Sequence, residues 1–267
     1  EFAEKIPLYE TTQTPNDLQS SQWYIDKINA EGAWDVTTGS QNIVIAIVDN
    51  AVKHSHEDLM SNRWVNTSEQ NGLGGFDDDL NGYTDDIYGY DVADGDSDPE
   101  PPSSADNSGA FVHGTHVAGI AAAATNNNTG IASVGYNCSF MSVKCSPNSS
   151  DGSSLTNAQD GVFYAMRAGA DIINMSFGSS GDALVSQLVI NQASSAGIVL
   201  VGSAGNENSD SEYYPAAYSN VIGVGATNQN DEKASFSNYG SWVDVMAPGE
   251  GIYSTLLDGG NTYGNLN

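Results

Sequence analysis

Basic side chains are scarce in this chain of 267 residues: 7 Lys and Arg stand against 34 Asp and Glu, a formal net charge of −27. A surface of that sign repels phosphate backbones, which argues against nucleic acid as a partner. No run of 18 or more apolar residues occurs, so no membrane span is expected. Only two cysteines are present, Cys138 and Cys145, and the segment between them reads as a strand. Seven strand steps would hold them roughly 23 Å apart, whereas a disulfide needs Cα atoms about 4.4–6.8 Å apart. They are not expected to bond to each other, and they say little about compartment. Histidines number four. His113 and His116 have neither the i,i+4 spacing nor the glutamate of a zinc-peptidase helix, so a catalytic metal is not indicated.

At 39% apolar the chain is expected to be globular, with one α/β domain over residues 1–267. Residues 41–48 are nearly continuously apolar and β-branched, the pattern of a strand buried on both faces of a parallel sheet. Further strands are expected at residues 139–145, 171–175, 198–201 and 221–226, with helices over 117–124, 155–168 and 182–196. Asp182 stands where it would cap the last helix. Strand and helix alternate, which predicts an α/β fold: a mostly parallel central sheet with helices on both faces. Residues 1–22 read as an irregular surface arm. Residues 61–110, rich in Asp, Asn, Gly, Ser and Pro, read as a long acidic loop insertion.

The residues suited to chemistry arrive in order. Asp49 closes the first buried strand, at the end where functional groups gather in open α/β sheets. A carboxylate there can accept from an imidazole N–H and fix its tautomer. The imidazole is His113, 64 residues later, in His113-Gly114-Thr115-His116-Val117-Ala118-Gly119; it opens a helix and is read as a general base. Gly114 and Gly119 permit close approach of neighbouring backbone. Asn174-Met175-Ser176-Phe177-Gly178 and Ser203-Ala204-Gly205-Asn206-Glu207 follow. The Asn206 amide can donate to the oxyanion of a tetrahedral intermediate. His54 and His56 read as surface loop residues.

In composition and order these motifs resemble the subtilisin family of serine proteases, from about Pro15 to the last residue. One departure is Asn50-Ala51, where the family carries Ser or Thr followed by Gly. The resemblance implies a secreted, calcium-binding endopeptidase made as a zymogen whose signal peptide and propeptide are removed. It assigns Asp49, His113 and Asn206 to catalysis. Ser176, Phe177 and Gly178 on one side, and Ser203, Ala204 and Gly205 on the other, are implied as walls that pair with an extended peptide. Tyr213 either sits at the base of the pocket for the residue before the cut, favouring small or medium apolar side chains, or points away. His116 matches a structural histidine. The family's nucleophile lies in a Gly-Thr-Ser-Met-Ala motif that this sequence does not contain, and the stretch up to Asn267 resembles the segment leading into it. The expectation is a domain incomplete at its C-terminal end, with the serine on a separate C-terminal fragment of the same protease. The alternative is a non-catalytic, calcium-stabilised binding module or an inactive nicked form.

Two cation sites are expected. Asp77, Asp78, Asp79, Asp85 and Asp86 crowd around Asn81-Gly82, and a hard divalent ion taking six to eight oxygens relieves their repulsion. Ligands are expected from Asp77, Asp79, Asn81, Asp85 and Asp86, with Asn66, Glu69 and Asp91 as possible additions. The twelfth position of that loop is Tyr88 rather than Glu, which excludes a helix–loop–helix calcium site. The second site is implied by the resemblance alone. In Asn126-Asn127-Asn128-Thr129-Gly130-Ile131, it takes Asn127 together with the carbonyls of Thr129 and Ile131, joined by Asp17 and Asp58.

Overall fold

The computed structural model describes residues 14–257 and 263–267; residues 1–13 of the expected N-terminal arm lie outside that range. Seven strands build the main sheet: β1 (Val44–Asp49), β2 (Gly89–Asp91), β3 (Ser139–Lys144), β4 (Ile172–Met175), β5 (Val199–Ser203), β6 (Ile222–Thr227) and β7 (Val245–Pro248). Their order is β2-β3-β1-β4-β5-β6-β7, and every pairing is parallel. The helices are α1 (Trp23–Lys27), α2 (Ala30–Trp34), α3 (Thr67–Asn71), α4 (Val112–Ala122), α5 (Ala158–Arg167) and α6 (Leu184–Ser195).

The continuous apolar run at β1 is explained by burial on both sides. Ala46 and Val48 pack in one core with Val162 and Tyr164 of α5 and Ile190 of α6. Ile47 points the other way, into a core with Ala118 and Ala122 of α4. Truncating a fully buried side chain such as Ile47 to alanine would cost about 2–5 kcal/mol. The expected fold class therefore stands. Beyond β4, however, the α4 side of the sheet carries Val199, Ile222 and Val245, exposed by 46%, 42% and 48%.

Several local expectations are corrected. The acidic segment is more than a loop: it supplies α3 and the edge strand β2. Gly89 makes that strand possible, because a Cβ there would run into the carbonyl of Ser142 on β3. The helix expected at 117–124 runs over Val112–Ala122, and His113 lies in its first turn, as expected of it. Asp182 does not cap α6, whose N-cap is Ala183. The Tyr218 hydroxyl meets the Ala183 N–H at 2.8 Å and delays the helix start. His54 and His56 are 9% and 0% exposed, in a turn-rich segment that is buried rather than superficial. Cys138 and Cys145 are free and buried, as the strand between them required.

An antiparallel hairpin, β8 (Ile252–Thr255) with β9 (Tyr263–Leu266), lies against α4. His116 Nε2 approaches the carbonyls of Ile252 (2.9 Å) and Gly264 (3.3 Å). Ser254 and Thr255 donate to the carbonyls of His116 and Thr115 at 2.8 and 2.7 Å. Burial lowers the His116 pKa to about 4, with the two carbonyls opposing the shift, so this ring is neutral and serves as a fastener.

Candidate active site

Asp49 is the last residue of β1 and is 1% exposed. His113, in the first turn of α4, turns Nδ1 to both of its carboxylate oxygens, at 2.9 and 3.0 Å. Helix and strand end come this close because residue 114 is glycine: a Cβ there would meet the Ala51 carbonyl and lie 2.9 Å from Asp49 Cβ. The carboxylate also accepts from the Asn50 N–H at 2.7 Å. The nearby negative charge of Asp49 raises the His113 pKa, and burial opposes it. With Nδ1–H committed to Asp49, Nε2 is left to accept a proton. The His113 side chain is 42% exposed and lines a cleft of about 920 Å³.

Asn50 accounts for the departure noted in the sequence. Its side-chain oxygen accepts from the N–H groups of Ala51 (2.8 Å) and Gly114 (3.3 Å). Its amide donates to the carbonyls of Ala110 (2.6 Å) and Gly152 (3.1 Å). One side chain thus joins the end of β1, the start of α4 and the cleft wall around Gly152. The sequence had no signal for this, since Asn after Asp reads as an ordinary turn.

Ser176, Phe177, Gly178 and Tyr213 line the cleft. Among the described residues Phe177 and Gly178 make no backbone hydrogen bond, leaving an open edge suited to strand addition. The second expected wall differs. Ser203, Ala204, Gly205 and Asn206 lie past the cleft lining. The carbonyls of Ala204 and Gly205 each already accept one bond from Asn238, through its amide (2.9 Å) and its N–H (3.0 Å). Asn206 is exposed, three residues beyond the end of β5 and on the same carboxyl edge as Asp49.

The expected cation ligands fall into two groups. Asp17, Asp58, Asn127, Thr129 and Ile131 come together. Asp17 accepts from the Asn127 N–H (2.8 Å), Asn127 Nδ2 donates to Asp58 (2.8 Å), and the Ile131 N–H donates to Asp58 (3.0 Å). Thr129 N–H donates to the Asn127 side chain at 2.7 Å. Asp58 is fully buried, and that burial raises its pKa to about 6, helped by the charge of Asp17. Asp17 Oδ1 is buried with no hydrogen-bond partner among the described residues. Two buried carboxylates with an unused oxygen fit a hard cation.

In the acidic segment, oxygens of Glu69, Asp79 and Asp86 lie within 4.8 Å of one another. Asn66 and Asn81 bridge Asp79 and Asp86. Asp77 and Asp85 are used differently. Asp77 accepts from the N–H groups of Asn81 and Gly82, and Asp85 from that of Gly75, so both fold the loop. Asp91 pairs with the fully buried ammonium of Lys144 and, among the described residues, belongs to no cluster that could hold a metal. Glu69, weighed only as an addition, is the more central residue.

The sequence matches the Subtilase family over residues 40–266. It is 39% identical to a thermophilic serine proteinase of Bacillus sp. over 98% of this chain and 58% of that protein. It is 40% identical to thermitase of Thermoactinomyces vulgaris over 95% of this chain and 79% of that one. A halolysin-like extracellular serine protease of Natrialba magadii is 37% identical over 96% of this chain, which spans 43% of its length. Among solved structures, proteases from Pseudoalteromonas arctica superpose with a TM-score of 0.78 at 32% identity, covering 96% of this chain and 82% of that one.

Proposed function

We propose, for a chain that belongs to the subtilase family, that it forms the Asp- and His-bearing part of a secreted serine endopeptidase. The observation that carries this reading is the two-oxygen contact between Asp49 and His113 Nδ1 beside an open cleft. Asp49 holds the imidazole in the tautomer whose Nε2 can take a proton, and stabilises the imidazolium once it forms. A serine hydroxyl that loses its proton to His113 attacks the peptide carbonyl, and His113 returns the proton to the leaving amine. Asn206 donates to the oxyanion from the carboxyl edge of β5. The substrate lies as an added strand along Ser176, Phe177 and Gly178.

The hydroxyl comes from a C-terminal piece of the same protease. Two features support this: among the described residues no hydroxyl is bonded to His113 Nε2, and the apolar side chains on the α4 side of β5 to β7 are exposed. Secretion is supported by the charge of −27 and by the extracellular relative. Among the described residues no helix is long and apolar enough to cross a membrane.

Calcium fits the loop formed by Asp17, Asp58, Asn127, Thr129 and Ile131, and the cluster of Glu69, Asp79 and Asp86. When bound it supplies charge that buried carboxylates lack, and it tethers loops without entering the reaction.

A serine-directed fluorophosphonate probe on the full-length protein tests the reading. Labelling is expected, and is expected to weaken in His113→Ala. Asn206→Ala is expected to reduce kcat by about 10²–10³ with little change in KM. Absence of label and of peptide cleavage would leave the non-catalytic binding module in its place.

A further inference from the structure

If Asn206 donates to the oxyanion, the part of the peptidase reading on which this inference rests, something else must aim it. Asn206 is exposed, and among the described residues it makes no hydrogen bond. A donor of this kind is effective because it is fixed in place before the charge develops. The fixing therefore has to come through the backbone of the turn that carries it.

That turn is clasped by a side chain from the connection between β6 and β7. Asn238 lies in that connection and is 1% exposed. Its Oδ1 accepts from the N–H groups of Glu207 (2.9 Å) and Ser209 (3.0 Å). Its Nδ2 donates to the Ala204 carbonyl (2.9 Å) and to Glu207 Oε2 (2.8 Å). Two donors and two lone pairs are all that an asparagine amide has, and here every one is used within residues 204–209. The N–H of Asn238 adds a bond to the Gly205 carbonyl at 3.0 Å. Asn206 is thus held on both sides along the chain while its own amide stays free.

The surroundings are built to this clasp. Gly205 has φ +97°, and a Cβ there would lie 2.6 Å from Asn238 Nδ2 and 2.8 Å from Glu207 Oε2. Glycine at 205 is what leaves room for the amide. Further along, the Asn208 N–H donates to the Phe236 carbonyl (2.7 Å) and the Tyr239 N–H to the Ser209 carbonyl (3.0 Å). Lys233 Nζ ties Asn208 Oδ1 (2.8 Å) to the carbonyls of Ala234 (3.1 Å) and Ser237 (2.9 Å).

We propose that Asn238 is a positioning residue for the reaction, holding the 204–209 turn so that the Asn206 amide is already aimed at the carbonyl under attack. It lies outside the cleft lining and acts only through Asn206. Alanine at this position would leave the N–H groups of Glu207 and Ser209 and the buried Ala204 carbonyl each short of a partner. A serine hydroxyl has a single donor and could not meet both Ala204 and Glu207.

The test is a cycle of variants in the full-length protein, with kcat and KM read on one peptide substrate. Asn238→Ala is expected to lower kcat by about 10²-fold, the loss that a misplacement of about 1 Å can bring, with KM little changed. In the Asn206→Ala background the same change is expected to cost nothing further, because residues that act as a unit are not additive. A purely structural role would lower activity by the same factor in both backgrounds. That result overturns the proposal, as does wild-type kcat in Asn238→Ala. Should Asn238→Ala fail to fold, Glu207→Ala gives the same reading, since Glu207 is exposed and its loss frees one of the two donors of the Asn238 amide. It is expected to lower kcat by a smaller factor, and only where Asn206 is present; an equal loss in both backgrounds, or none in either, overturns the proposal. A wild type that cleaves no peptide refutes the peptidase reading instead, and wild-type kcat in Asn206→Ala refutes the role given to Asn206. Either result takes the proposal with it, and each is distinct from an additive cycle.

Discussion

Asp49 and Asp58 are the same side chain at the same depth, 1% and 0% exposed, yet the protein treats them differently. At the carboxyl edge of the sheet a buried carboxylate has a basic partner: His113 for Asp49 and Lys144 for Asp91. In the two acidic loops no ion pair to Asp58 or Asp86 is found among the described residues. Asp58 is met by an amide and an N–H, and Asp86 by two amides and the Tyr164 hydroxyl. Burial pushes both of these pKa values up to about 6. It raises that of Asp91 too, but there Lys144 opposes the shift. The sheet edge balances its charges within the protein, whereas the buried carboxylates of the loops meet neutral donors among the described residues. One arrangement keeps a fixed geometry without an added ion; if the proposed calcium binds, the other makes the loops depend on the medium.

The contrast can be broken at the edge first. Asp49→Asn in the full-length protein leaves the shape of the site and removes the charge that selects the tautomer. We expect kcat/KM to fall about 10⁴-fold, measured on a peptide substrate; a tenfold loss would mean that Asp49 is only a fastener. Lys144→Met turns Asp91 into a carboxylate of the loop kind, buried without a cation. It is expected to cost about 3–5 kcal/mol in denaturant unfolding. A change within error would show that neutral donors suffice there as well.

The loops are tested by withdrawing the ion. With calcium at about a hundred times its Kd, chelation removes about 2.7 kcal/mol. For a domain of this size that lowers Tm by roughly 5–10 °C. Asp58→Asn should lose part of that response, leaving the part due to Glu69, Asp79 and Asp86. An identical melting curve with and without chelator would end the distinction between loops and edge.

The smallest effect is on pH dependence. Asp49 favours the protonated imidazole, and only the neutral ring accepts a proton from the nucleophile. Activity should therefore be lost as pH falls through a His113 pKa raised above 6.5. The residual activity of Asp49→Asn should follow a lower pKa, because the raising charge is gone. A pH profile that does not move between the two proteins would assign the titration to another group.

Much of this was legible before any coordinates. The apolar runs of β1 and β3 and the alternation of strand with helix announced a parallel sheet, because a strand buried on both faces has no polar face to show. The seven-residue stretch around His113 marked the imidazole that meets Asp49, and Gly114 marked the close approach. The edge strand β2 was not legible: three residues beginning with glycine carry no period, and the strand exists because Ser142 on β3 needs the space a side chain would take. Asp182 looked like a cap, but Tyr218, which meets Ala183 from 35 residues away, decided where α6 begins.

By itself, then, the amino-acid sequence determined the layered α/β fold, the order of the reactive residue types and the excess of negative charge, since these follow from burial periodicity and composition along the chain. Which partner each buried carboxylate receives was decided only in three dimensions. His113 reaches Asp49 across 64 residues, Lys144 reaches Asp91 across 53, and Asn127 reaches Asp17 across 110. Local pattern reports whether a side chain is buried, but the group that meets it there is delivered by packing.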